Sequence, residues 1–145
     1  MVVTAHMLCS LLSYAAFLVA FVSGVLFLVQ DAQLKRKHMG VLFHRLPPLS
    51  TLDRVNFFSI GAGFALLSAG VVLGFIGSWT LRGAWWGPQE GLILALWGSY
   101  LVLWLMRLRA TLRGRRVALL SILGFSLALF TLVGVSRWMP FHQYL

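Results

Sequence analysis

Four histidines are the residues of this chain best suited to bind a metal or a cofactor. His6 and His142 lie near the two ends of the chain, whereas His38 and His44 lie together in a basic segment. Imidazole nitrogens bind transition metals, and two imidazoles can bind a haem iron from opposite sides. Acidic side chains are scarce, because the chain has only three Asp and Glu residues in total. That scarcity argues against zinc, calcium or magnesium sites and against catalysis by paired carboxylates.

Other chemical motifs are missing from the sequence. It contains no phosphate-binding loop, no dinucleotide fingerprint and no CxxC pair. The single Cys9 excludes an intrachain disulfide and a cysteine metal cluster. Glu90 precedes an apolar run, where a carboxylate stabilises the positive end of a helix, so we assign it a structural role. No residue is therefore predicted to be catalytic.

The composition indicates an integral membrane protein. The 145 residues are 60% hydrophobic and only 10% charged, with a mean hydropathy of +0.90. A domain of this size cannot bury that many apolar groups inside itself, so lipid must surround many of them. The net charge of +9 then indicates orientation and contact with anionic lipid headgroups, and nucleic acid is not an expected partner.

Four apolar runs predict an all-α membrane protein with four transmembrane helices in one domain covering residues 1–145. The third run has only 16 residues, which is short for a crossing. We expect the start of that helix to draw on the preceding tryptophan loop, residues 80–90, which contains Trp85 and Trp86 beside Gly87 and Pro88. The predicted helices cover about 7–30, 55–79, 91–106 and 117–135.

The distribution of basic residues predicts the orientation. Ten Lys and Arg residues lie in the two segments that follow the first and third runs, whereas only Arg82 and Arg137 lie on the opposite side. Because basic loops stay in the cytoplasm, both termini are predicted on the periplasmic, outer side of a bacterial cytoplasmic (inner) membrane. His6, His142 and the tryptophan loop then converge on one membrane face.

Two imidazoles at one depth, with planar aromatic side chains between them, suit a haem. Its iron takes axial nitrogen ligands, and its faces pack on aromatic side chains. His6 and His142 are the candidate metal ligands, with Trp85 and Trp86 packing on the macrocycle. The two cations on this face are candidates to bind the propionates through charge-assisted hydrogen bonds; they are Arg82 and Arg137.

The residues alone leave alternatives open. Paired tryptophans at the end of an apolar run are also typical of the interfacial aromatic belt, and a single histidine there often contacts lipid headgroups. Met139 or Cys9 could supply one axial ligand in place of a histidine, since thioether and thiolate sulfur both bind haem iron.

In its order of motifs the chain resembles the C-terminal half of the cytochrome c assembly proteins, the CcsA, CcmC and HemX group of haem-handling membrane proteins. The likeness covers nearly the whole chain. The matching segments are the histidine-led helix from His6 to Lys37, the block Arg45-Leu46-Pro47-Pro48-Leu49 with Leu52-Asp53, the run Gly63-Phe64-Ala65-Leu66-Leu67, the motif Trp86-Gly87-Pro88-Gln89-Glu90, and the stretch from Gly114-Arg115-Arg116 through Gly124-Phe125 and Gly134-Val135 to His142.

The resemblance implies a haem site on the outer face, built for haem handling in cytochrome c maturation. His6 and His142 match the two external histidines of the family, and the tryptophan pair matches its tryptophan-rich loop. Gly87 stands where the family motif has Asp, and Gln89 where it has a basic residue. The family's second histidine pair, inside the membrane, has no counterpart near Leu105, so we expect one external site and no relay of haem across the membrane.

Three functions therefore remain under consideration, each involving haem b (iron protoporphyrin IX). The leading hypothesis is haem handling in cytochrome c assembly, with other assembly components and a c-type cytochrome as candidate partners. The alternative is a small b-haem electron-transfer subunit of a larger respiratory or photosynthetic membrane complex. A third is a regulatory or scaffolding partner of haem-synthesis enzymes. We expect binding or transfer of haem, or of electrons, rather than an enzyme, with lipid around the protein.

The predicted orientation can be tested with reporter fusions. A reporter fused after Leu145 should be active in the periplasm, and one inserted near Arg113 should be active in the cytoplasm, because the charge distribution retains the basic segments inside. Activity is compared between a periplasmic reporter and a cytoplasmic reporter at both sites. The reverse pattern would place His6 and His142 on the cytoplasmic side.

Overall fold

The chain is all-helical throughout the part that the structure describes. A computed structural model describes residues 1–37, 46–82, 88–109 and 114–138, with the backbone alone for 81–82, 88–90 and 135–138. Each helix contains a stretch long and apolar enough to cross a membrane, as predicted; the orientation of the termini stays a prediction. The helices are α1 (Val2–Lys35), α2 (Leu49–Arg82), α3 (Pro88–Leu108) and α4 (Arg115–Trp138).

Every helix extends beyond the apolar run from which it was predicted. α1 and α2 have 34 residues each, which is about 51 Å at 1.5 Å per residue, against roughly 30 Å of hydrocarbon. The polar residues just outside the apolar run continue the helix, because its backbone hydrogen bonds do not depend on burial. Asp31 and Lys35, for example, form an ion pair of 2.8 Å on the last turns of α1. Hydropathy alone does not detect these turns.

Prolines mark the starts of α2 and α3. The Pro48 carbonyl accepts hydrogen bonds from the N–H groups of Thr51 (2.9 Å) and Leu52 (3.1 Å), so α2 begins immediately after it. α3 begins at Pro88, within the segment that the sequence assigned to the tryptophan loop. Proline suits the first helical position, since the N–H that it lacks would have no partner there. α3 therefore has 21 residues rather than 16, and residues 83–87 lie outside the described residues.

The four helices pack as antiparallel neighbours. α1 packs chiefly on α2 and also on α4, while α3 packs on both α2 and α4. Phe17 of α1 stacks on Tyr100 of α3 at the centre, with ring centroids 3.8 Å apart. Phe21 of α1 packs on Phe125 of α4 at 5.1 Å. The other large buried side chains of this core are Ile60, Leu67, Leu96, Leu103 and Val117.

Gly63 allows the Phe17 ring to enter the core against α2. A Cβ at position 63 would lie 2.5 Å from Cε1 and 2.6 Å from Cδ1 of Phe17, well inside van der Waals contact. Because Phe17 is 1% exposed and stacked on Tyr100, its ring has little room to move away. The close contact of α1 with α2 therefore depends on a glycine at this position.

Asn56 connects three helices in the bundle interior. Its side-chain amide donates to the Ala20 carbonyl of α1 (2.7 Å) and to the Ser121 hydroxyl of α4 (3.0 Å). The Ser121 hydroxyl in turn bonds the Val117 carbonyl within its own helix (2.9 Å). Such hydrogen bonds between transmembrane helices contribute about 0.6 kcal/mol each on average. Their main effect is to fix the rotation of α2 relative to its neighbours, since only one face of α2 carries this amide.

Gly63→Ala should destabilise the protein by about 1–3 kcal/mol, because the added methyl group overpacks the Phe17 site. We expect a lower apparent unfolding temperature in mild detergent. Gly77→Ala on the same helix is the matched control, since no atom lies within 4 Å of a Cβ at that position. Equal unfolding temperatures for the two variants would show that the tight contact at Gly63 is not a real constraint.

Candidate functional site

Three of the predicted site residues, His6, Arg82 and Arg137, lie in described helices whose ends meet at one end of the bundle. The antiparallel packing places the start of α1, the end of α2, the start of α3 and the end of α4 at one end of the bundle, which we refer to as the histidine end. His6 is half-buried there. Arg82 ends α2 and Arg137 lies in the last turn of α4, with the backbone alone described for both. Trp85, Trp86 and His142 lie outside the described residues.

His6 makes one short hydrogen bond to a neighbouring helix. Its Nδ1 lies 2.7 Å from the backbone carbonyl oxygen of Gly70 on α2. A carbonyl oxygen can only accept a hydrogen bond, so Nδ1 carries the hydrogen. The Nε2 atom of the neutral ring then carries a free lone pair. This is the tautomer of a histidine that binds a metal through Nε2, since metal-ligating histidines usually donate their other N–H to a carbonyl or carboxylate.

Two glycines on α2 make room for this contact. A Cβ at Gly74 would lie 3.1 Å from Cε1 and 3.2 Å from Nδ1 of His6, and one at Gly70 would lie 3.2 Å from the Ser10 hydroxyl. The pair has the small-xxx-small spacing that permits close helix contact in membranes, and His6 and Ser10 of α1 lie against it. Gly74 therefore leaves room for the His6 ring, and Gly70 leaves room for Ser10.

Cys9 lies one turn beyond His6 and close to Gly70. Its thiol is free and half-buried, and its Cβ would be 3.8 Å from a Cβ at Gly70. The side chain therefore packs between α1 and α2, and it forms no disulfide with a described residue. Within the described ranges, no group of three or more His, Cys, Asp or Glu side chains could hold a metal ion. A metal here would depend on a ligand from a cofactor or from the remaining segments.

The sequence missed an ion pair at the opposite end of the bundle. Arg107 was predicted in the second basic loop, which is wrong: it lies within α3 and is only 6% exposed. Its Nη2 donates to the Asp53 carbonyl (2.8 Å) and carboxylate (2.9 Å) on α2, and its guanidinium carbon lies 5.5 Å from the Phe57 ring centroid. The contact joins α2 to α3. The sequence feature that could have indicated this ion pair is the scarcity of acidic residues, because a buried arginine could pair with few carboxylates.

The position near Leu105 faces outward. Leu105 is 44% exposed and its neighbour Met106 is 38% exposed, so this surface of α3 is not covered by the other three helices. The histidine that is missing at this position would therefore have lain on the outer surface of the bundle. It does not leave a gap in the four-helix interior.

Comparisons with known proteins give one consistent result. The family model described as "Cytochrome C assembly protein" matches residues 1–142. The chain is 31% identical over 152 residues to "Cytochrome c biogenesis protein CcsA" of Prochlorococcus marinus subsp. pastoris, covering 90% of this chain and 48% of the relative. The protein of the same name from Guillardia theta is 26% identical over 148 residues, covering 90% and 49%.

Shorter matches carry the same name. CcsA of Thermosynechococcus vestitus is 33% identical over 94 residues, covering 63% of this chain and 30% of the relative. The chain thus spans at most about half the length of these curated relatives. No solved structure matches the chain. Together with the four apolar helices, the relatives identify a multi-pass membrane protein, and they lend no support to the electron-transfer alternative.

The tautomer of His6 can be measured by nitrogen-15 NMR of histidine-labelled protein, at a pH above the ordinary imidazole pKa of about 6.5. We expect hydrogen on Nδ1 and none on Nε2, with His6→Gln identifying the signal. Gly74→Ala should crowd the ring and produce a mixture of tautomers, whereas Gly77→Ala should leave the signal unchanged. Hydrogen on Nε2 in the unaltered protein would contradict the bond to Gly70.

Proposed function

The chain belongs to the cytochrome c assembly protein family, and we propose that it holds one haem at the histidine end for cytochrome c assembly. In this proposal His6 binds the iron through Nε2, and His142 supplies the second axial ligand. The cofactor is haem b, bound without a covalent link, and the protein acts as a carrier rather than an enzyme. The membrane is the bacterial inner membrane, with the site on its periplasmic face.

The single observation that carries the proposal is the hydrogen bond from His6 Nδ1 to the Gly70 carbonyl, at 2.7 Å. It selects the tautomer that a metal ligand needs and holds the ring by contact with α2. In metal-ligating histidines, such a donated hydrogen bond makes the other ring nitrogen a better ligand. A histidine that only contacted lipid headgroups would not require a glycine on the facing helix to clear space for its ring.

The other proposed residues follow from their positions in the chain. Arg82 and Arg137 lie in the final turns of α2 and α4, so both belong to the end of the bundle that carries His6. Their guanidinium groups would bind the two propionates, a pairing for which arginine is well suited. Trp85 and Trp86 follow Arg82 in the chain and would pack on the macrocycle. When bound, the haem supplies an iron with two exchangeable axial positions.

Partners follow from the names of the relatives, which specify cytochrome c biogenesis. We infer that the haem is passed to a c-type cytochrome together with other assembly components in the membrane. In this proposal the two histidines, the two arginines and the tryptophan pair would hold the haem without a covalent bond. Such binding is reversible, which is what a delivery site requires.

Replacement of the ligands tests the proposal. His6→Ala and His142→Ala should each convert the absorption spectrum of haem-loaded protein from six-coordinate low-spin towards high-spin, with loss of haem on dilution. His38→Ala and His44→Ala are the controls, because their predicted position is about 30 Å away across the hydrocarbon. Trp85→Ala should weaken haem retention without a change of spin state, since it removes packing area rather than a ligand.

Other outcomes have distinct meanings. Equal behaviour of all four histidine variants would defeat the proposal. If only His6→Ala had an effect, Met139 would be the second ligand to test, and if only His142→Ala did, Cys9 would be. If the protein delivers haem, excess apomyoglobin should remove the haem from it. Retention under those conditions, with reversible reduction, would instead support electron transfer.

A further inference from the structure

A groove opens between α1 and α4 at the end of the bundle opposite His6, which we refer to as the basic end. It has a volume of about 290 Å³ and lies between the last turns of α1 and the first turns of α4. Its wall is apolar on one part and charged on the other. The lining residues are Leu28, Ala32 and Leu119, followed by Asp31, Lys35, Arg36 and Arg115.

Two of the three cations of this groove have no counter-ion in the described part of the chain. The Asp31 carboxylate pairs with Lys35 at 2.8 Å. Arg36 and Arg115 form no ion pair with any described residue, and both are exposed. Arg36, the residue after α1, and Arg115 of α4 therefore border one groove whose single lining carboxylate, Asp31, is paired with Lys35. Arginines without a paired carboxylate suit a phosphate, because its oxygens accept paired N–H bonds from guanidinium groups.

The order of the lining residues along the bundle fits an amphipathic ligand. Leu28 lies eight residues before Arg36, about 12 Å along α1, and Leu119 lies one turn beyond Arg115 towards the middle of the bundle. The wall thus changes from charged at the helix ends to apolar towards the hydrocarbon. A free anion would use only the charged part, whereas a phospholipid would use both.

We propose that this groove binds one anionic phospholipid, with its phosphate between Arg36 and Arg115 and its acyl chains along Leu28 and Leu119. Basic pockets between transmembrane helices are suited to such headgroups, because the arginines meet the phosphate at the depth where the hydrocarbon ends. The bound lipid bridges α1 and α4 at the basic end. This site is independent of the proposed haem site at the histidine end.

The proposal is tested by native mass spectrometry of the full chain in neutral detergent. The probe is dioleoylphosphatidylglycerol, compared with dioleoylphosphatidylcholine, which has the same acyl chains and no net charge. We expect a one-to-one adduct with the anionic lipid only. The double variant Arg36→Gln with Arg115→Gln should raise the dissociation constant of this adduct by about thirtyfold. That is the factor expected from two basic side chains near an anionic headgroup.

Lys37→Gln with Arg116→Gln is the matched control. These residues are the immediate neighbours of the two arginines, are exposed, and do not line the groove, so this variant removes the same charge and should retain the adduct. Equal loss in both variants would overturn the proposal in favour of a diffuse basic surface. Displacement of the lipid by an equal concentration of inorganic phosphate would overturn the assignment of a lipid. Helix content by circular dichroism verifies that each variant is folded.

Discussion

The close approach of α1 to α2 is the constraint on which the rest of the bundle depends. Glycines of α2 face the bulky side chains of α1 at two levels, Gly63 against Phe17 and Gly74 against His6. In a bilayer, apolar side chains gain little from leaving lipid for protein, so helices associate mainly through close packing and hydrogen bonds. The glycines of α2 therefore stabilise the bundle by allowing close packing, as the burial of apolar side chains stabilises a protein in water. They let α1 pack tightly enough for Phe17 to reach Tyr100 on α3.

The pairing of polar side chains inside the bundle is also explained by the surrounding hydrocarbon. A polar group facing hydrocarbon costs several kcal/mol when it has no partner, which favours arrangements in which polar side chains meet another helix or their own backbone. Asn56 meets α1 and α4, and Arg107 meets the carboxylate and carbonyl of Asp53. Each bond adds little net stability, but the cost of breaking it excludes other rotations of the helices. Packing therefore brings the helices together, and these contacts select one arrangement.

The two ends of the bundle differ in the chemistry that they offer. At the histidine end, the His6 ring is held through Nδ1 by the Gly70 carbonyl, which leaves Nε2 as the nitrogen that can bind a transition metal. At the basic end, Arg36 and Arg115 border a groove that becomes apolar towards the hydrocarbon, which suits an anionic lipid. The scarcity of acidic residues affects the arginines at both ends of the bundle. With three carboxylates in the chain, few arginines can be neutralised internally, and the others remain available to anions.

The sequence by itself determined the class of protein, the four helices and the family. Each of these rests on properties that repeat over many residues: hydropathy over whole spans, and the order of motifs along the chain. It also identified His6 as a candidate ligand, and Gly70 on the facing helix is its partner. Only the tertiary structure decided that these belong together, because residues 64 positions apart meet through the relative rotation of two helices, which periodicity does not specify. The same holds for Arg107, predicted in a loop and found buried against Asp53. A basic residue at the end of an apolar run looks solvated in sequence, and its burial depends on which helix lies beside it.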